Sequence, residues 1–143
     1  EIIRKTYNIP GGEIGIGLWA GQALTPNSIE KADKILHGEE DDNPEDSNPA
    51  QIEKCPWCGK PITTENYHCD FDRKRMIISC PDSNCPFHKG LPVYLMDEEI
   101  YAHTPTFIVS TVDKFAQITL NRETSALFGL NKNCLPPEVI IQD

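Results

Sequence analysis

Two cysteine pairs, Cys55-Pro-Trp-Cys58-Gly and Cys80-Pro-Asp-Ser-Asn-Cys85, are separated by 21 residues. Each pair sets two thiolates at the tip of a tight turn, and two such tips facing one another make a tetrahedral site. A closed shell of Cys55, Cys58, Cys80 and Cys85 suits a structural Zn2+ ion and leaves no open coordination position for catalysis. Two disulfides are one alternative, disfavoured by the knuckle spacing and by the lack of a secretory pattern. Exchange of one thiolate for Cys69 or His88 is another. Cys69 falls on the apolar face of its expected strand, where a free cysteine fills space, and His88 reads as an exposed polar residue. Cys134 has no partner at ligand spacing and is expected to be buried.

Between the knuckles, Tyr67, Cys69 and Phe71 alternate with His68 and Asp70, and Met76-Ile77-Ile78 leads into Cys80. Two strands joined near Arg73-Lys74-Arg75 fit this pattern. Residues 54–90 are therefore expected to form a zinc ribbon, with a metal end and a hairpin end.

The charge is unevenly placed. Residues 38–53 hold seven acids and no base, whereas 54–90 hold six bases and four acids, within a chain of net charge −9. Residues 39–53, with Pro44 and Pro49, read as a solvated acidic linker. A net acidic chain is poorly suited to bind nucleic acid by itself, because phosphate neutralisation dominates that affinity. No apolar run approaches the roughly 20 residues that span a bilayer, so no membrane contact and a cytoplasmic, reducing location are expected.

Outside the ribbon, the pattern is that of strands alternating with helices. Residues 13–20 alternate with Gly15 and Gly17 on one face, which reads as a strand closely approached by other backbone. A helix follows, with Asn27 as its N-cap, Ile29, Ala32, Ile35 and Leu36 as its apolar stripe and Gly38 as its stop. Leu91–Met96 gives a short strand, Phe107-Ile108-Val109 a stronger one, and a helix is expected from Asp113. Glu138–Ile141 is expected as the last strand. This order predicts an α/β fold with a parallel sheet and helical crossovers. Gly15-x-Gly17-x-x-Ala20 is not a dinucleotide fingerprint, because its glycines lie within the strand and Pro26 precedes the helix.

Ser110-Thr111-Val112-Asp113-Lys114-Phe115 sits where a strand turns into a helix, a place that favours phosphate but equally serves simple capping. With Leu18-Trp19-Ala20-Gly21 before it and Ile140-Ile141-Gln142-Asp143 after it, the order of elements resembles the second half of the first RecA-like motor domain of superfamily-2 helicases. Over Ile16–Gln22, Thr25-Pro26-Asn27, Cys55–Gly59, Leu91–Tyr94, Pro105–Phe107 and Asp113–Ala116 it is similar to the helicase-like family of DISARM-type bacterial phage-defence systems. The resemblance implies a partial RecA-like sheet from residues 1–38 and 91–143, interrupted by the linker and the ribbon. It implies nucleic-acid backbone contacts from Gly21, Ser110, Thr111, Asp113 and Lys114, and a catalytic Mg2+-holding Asp143 at a Walker B element. Val112-Asp113-Lys114 departs from that family's Pro-Gly-Arg, and no Gly-Lys-Ser/Thr occurs, so ATP and Mg2+ would belong to a longer parent hydrolase from which this chain reads as an internal piece.

Two functions follow as expectations. In one, the chain is part of an ATP-dependent helicase or translocase, its ribbon forming a basic arm whose Arg73, Lys74 and Arg75 touch DNA or a partner subunit. In the other, the ribbon is a protein-interaction module on an α/β scaffold, without motor activity. A redox role for Cys55-x-x-Cys58 is the weakest reading, since a second pair stands ready to share a metal. Because the fragment supplies only part of a sheet, either self-association through open strand edges or a rearranged, partly disordered α/β portion is also expected.

Overall fold

The computed structural model describes residues 2–21, 24–38, 48–130 and 135–142. Most of the acidic linker, Cys134 and Asp143 lie outside the described residues, as do the roles expected of them. The described chain is a mixed α/β structure with a three-stranded parallel sheet and a two-stranded antiparallel one.

A short helix α1 (Ile2–Thr6) leads to β1 (Ile16–Trp19), the central strand. β4 (Val93–Tyr94) and β5 (Phe107–Ser110) flank it, both parallel to it, with Gly17 level with Tyr94 and Ile108. The antiparallel pair, β2 (Tyr67–Asp70) and β3 (Arg75–Ile78), is the ribbon, with Cys69 opposite Met76. Gly17 within β1 and Gly15 just before it mark a close approach, as expected, but the nearest approaching groups are side chains. A Cβ at Gly15 would lie 2.5 Å from the Tyr94 ring, and one at Gly17 would lie 3.1 Å from the Pro105 ring.

Helix α2 (Ile29–His37) starts one residue later than the sequence suggests. Ser28 is the N-cap, its Oγ accepting the Lys31 N–H at 3.3 Å, and Gly38 closes the helix in the left-handed region at φ 70°. Helix α3 (Asp97–His103) is absent from the sequence expectation, and it fills the crossover from β4 to β5. Helix α4 (Val112–Ala116) begins one residue before Asp113 and lasts five residues, giving way to 3-10 turns over Gln117–Thr119 and Arg122–Phe128.

Two packed clusters hold these elements. Trp19, Tyr94, Ile100, Tyr101 and Leu127 form one, with Ile108 and Phe128 against it. The second joins Ile29 and Ala32 of α2 to Ile62, Tyr67, Met76 and Ile78 of the ribbon and to Leu91, Leu95 and Met96, with Leu18 and Val93 of the sheet packed on it. The ribbon is thus not an arm standing off the sheet. Its apolar side completes the core around β1 and β4, because two short strands cannot bury an apolar face alone.

The strand expected at Glu138–Ile141 does not form. Val139, Ile140 and Ile141 are exposed, Ile141 at 84%, and the run has no strand neighbour among the described residues. A strand without a partner satisfies its backbone only through water. On the outer strand β5, Phe107 and Val109 remain 59% and 50% exposed, so one face of this edge is apolar and bare.

Candidate metal centre and the carboxyl edge of the sheet

The two knuckles bring four sulfurs together. Cys55, Cys58, Cys80 and Cys85 place their Sγ atoms all within 4.8 Å of one another. Cys55 Sγ is 3.7 Å from Cys85 Sγ, and Cys58 Sγ is 3.5 Å from Cys80 Sγ. Those separations exclude a disulfide, which needs about 2.05 Å. A tetrahedron with sulfurs roughly 2.3 Å from its centre has edges of about 3.8 Å, so the cluster fits a metal ion held by four thiolates.

Local structure explains the convergence. In the first knuckle, Gly59 adopts φ 72° and its N–H reaches the Cys55 carbonyl at 2.9 Å, while the Cys55 N–H reaches Lys60 O at 2.8 Å. In the second, Cys80 N–H donates to Phe87 O at 3.0 Å and Cys85 N–H to Asp82 O at 2.9 Å. Burial works against the Cys55 thiolate, yet the N–H groups of Cys58 and Trp57 outweigh it and hold that thiol at about 7. Burial, with the neighbouring thiols, pushes Cys80 up to about 12, and burial also raises Cys85. Four crowded sulfurs resist becoming anionic together unless a cation shares their charge.

The other cysteine and histidine candidates stand aside. Cys69 is buried in the core behind β2, its thiol pushed up to about 12 by burial and by Asp33. His88 lies next to the centre without joining it, its Nδ1 2.9 Å from the Cys80 carbonyl oxygen.

The residues expected at nucleic acid divide into two groups. Gly21, Ser110 and Thr111 meet at the carboxyl edge of the parallel sheet. Trp19 is level with Ser110, and Thr111 N–H donates to Trp19 O at 3.3 Å, so the two segments leave adjacent strands side by side. Thr111 caps α4 through its backbone, and Asp113 is exposed in the first turn. Lys114 is different. It is 4% exposed and its ammonium is ion-paired with Asp97 of α3, so it does not face solvent.

The basic hairpin tip is likewise occupied. Arg73 sits 3.7 Å from Asp70, Lys74 Nζ pairs with Glu98 Oε1 at 2.7 Å, and the Arg75 guanidinium stacks over Tyr94 at 3.6 Å. Arg75 also donates to Leu91 O at 3.0 Å. These charges bind the ribbon to its own scaffold, because the hairpin folds back onto α3 where the expectation had an arm reaching outward.

Sequence reasoning missed α3, whose acids do much of this work. Glu99 is fully buried and accepts three backbone N–H groups, from Met76 at 2.5 Å, Leu95 at 3.1 Å and Met96 at 3.3 Å. Burial raises its carboxyl against the pull of those donors. Burial also raises Asp97, opposed by Lys114 and by the Tyr101 hydroxyl. A cleft of about 290 Å³ opens beside these groups at the same sheet edge, lined by Asn27, Glu30, Asp97, Glu98, Asn121 and Glu123 among others. The sequence carries only half of a capping signal here: Glu99 stands three residues after Met96 and accepts its N–H, but methionine has no oxygen to cap the helix in return.

No protein-family model matches the chain. Among the described residues, no helix is long and apolar enough to cross a membrane. The chain is similar to the DISARM protein DrmA of Bacillus paralicheniformis, with 34% identity over 146 residues covering 92% of this chain and 12% of that protein, so it spans about an eighth of that relative's length.

Proposed function

We propose that this chain is an internal segment of an ATP-dependent nucleic-acid helicase or translocase of a DISARM-type phage-defence system, acting in the cytoplasm. The similarity to the DISARM protein DrmA supports the system. The observation that carries the motor reading is the side-by-side exit of Gly21 and Ser110-Thr111 from neighbouring parallel strands. Ligands of open α/β sheets bind outside the carboxyl ends of the strands. The Thr111 hydroxyl there, and the Ser110 hydroxyl once it turns from the Thr111 carbonyl oxygen it donates to at 3.0 Å, can hold phosphate oxygens. The four cysteines hold Zn2+ as a structural staple, and ATP and Mg2+ bind elsewhere in the parent.

The test is nucleic-acid-stimulated ATP hydrolysis by the full-length protein. Joint Ser110→Ala and Thr111→Ala substitution should weaken the stimulation tenfold or more without loss of fold. A full-length protein whose ATPase ignores both DNA and RNA overturns the motor reading.

A second reading, a protein-docking ribbon, draws support from two observations. The hairpin bases are engaged within the chain, whereas Trp57 at the metal end is 58% exposed. Retained partner capture by a full-length protein with no affinity for nucleic acid at low salt would favour it.

A further inference from the structure

We infer that α3 is a strut that couples the metal-held ribbon to the carboxyl edge of the sheet, with Glu99 and Asp97 as its two positioning residues. The inference stands whether or not the motor reading does.

One face of the strut grips the ribbon at three points. Glu99 accepts the Met76 N–H of β3, Glu98 pairs with Lys74, and His103 Nε2 lies 2.8 Å from the Arg73 carbonyl oxygen. Met76 stands two residues from Ile78, and Ile78 O accepts the Leu91 N–H at 2.8 Å beyond the second knuckle. Another face, that of Asp97 and Tyr101, grips the edge. Asp97 holds the Lys114 ammonium and the Tyr101 hydroxyl, and Tyr101 accepts the Trp19 Nε1–H at 3.0 Å. Trp19 and Lys114 belong to the two segments that emerge together at Gly21 and Thr111. All four of these side chains are buried, from 2% to 8% exposed. Shifting the ribbon strand therefore moves a buried acceptor on one face of a seven-residue helix and a buried ion pair on another face of its first turn. Neither can be left unpaired cheaply in a dry interior.

Coupling of this kind is reciprocal, which gives a test in each direction. The chain holds two tryptophans, so Trp57→Phe leaves Trp19 as the sole indole. Zn2+ is withdrawn from that variant with a graded chelator while Trp19 emission is followed. The emission should shift to the red in step with loss of metal. In the reverse direction, Asp97→Asn and Lys114→Met should each weaken Zn2+ affinity roughly fivefold or more, although neither side chain is a cysteine ligand. Asp97→Asn keeps a hydrogen-bonding group should Lys114→Met leave the chain unfolded. With Glu99→Gln already present, the Asp97→Asn effect on affinity should shrink, since the route is cut. Trp19 emission indifferent to metal, unchanged affinity in Asp97→Asn, or strict additivity with Glu99→Gln would each overturn the strut.

Discussion

The carboxylate of Glu99 accepts the backbone N–H of Met76 at 2.5 Å, across a boundary that separates the ribbon from the helix covering the sheet. Among the described residues the ribbon strand β3 has a strand neighbour only on its β2 side, and Glu99 satisfies a donor on the other side. Removing the side chain leaves three buried N–H groups without acceptors. Glu99→Ala should cost at least about 3 kcal/mol, from three donors at a usual penalty of roughly 1–3 kcal/mol each, read as a lowered urea midpoint. A loss below about 1 kcal/mol would mean that water replaces the carboxylate easily.

The glycines on either side of the first strand should separate stability from function. Gly15→Ala drives a Cβ to 2.5 Å from the Tyr94 ring, which Arg75 stacks upon, whereas nothing lies within 4 Å of a Cβ at Gly21. Gly15→Ala should cost about 1–3 kcal/mol through overpacking, and Gly21→Ala should leave thermal stability within about 0.5 kcal/mol. Gly21→Ala should nonetheless weaken nucleic-acid binding by the full-length protein. Unaltered binding would remove Gly21 from the proposed contact.

At the hairpin tip, the ion pairs decide how many phosphates can be met. Lys74 and Arg75 are held by Glu98 and Tyr94, and Arg73 is the more open of the three. If the tip touches nucleic acid, Arg73→Ala should lower the log–log salt slope of binding by about 0.9, and Lys74→Ala should change stability more than slope. A fall of about 2.7 on removing all three would instead require the internal pairs to open on binding.

Metal affinity should fall steeply in acid. Each sulfur must lose its proton to bind. Near neutral pH the burial-raised Cys80, at about 12, and Cys85 each release one, and Cys55 adds another as pH falls below about 7. Protons therefore compete more strongly as pH drops, and the affinity should change by at least about two decades per pH unit around pH 7. Competition with a chromophoric chelator between pH 6 and 8 measures the slope. A slope near zero would mean that these thiols are not ligands.

The legible parts of this molecule were those whose signal is local. Knuckle spacing placed four sulfurs, alternation around Cys69 placed β2, and Gly38 placed the end of α2, because each depends on a few consecutive residues. What escaped was decided by contacts distant in sequence. Asp97-Glu98-Glu99 looks like a solvated acidic run, yet two of the three are buried because Lys114 and Met76 arrive from elsewhere. Arg73-Lys74-Arg75 looks like a free basic tip for the converse reason. Val139-Ile140-Ile141 has strand propensity without a strand beside it, and propensity yields to tertiary context.

The account rests most heavily on one ion shared by both knuckles and built into the core. Cobalt substitution with X-ray absorption at the metal edge tests this directly on the intact chain. One metal per chain with four sulfur neighbours at about 2.3 Å, lost in Cys80→Ser, is the predicted result. Fewer sulfurs in the shell, a metal retained in Cys80→Ser, or disulfides between these cysteines would contradict it.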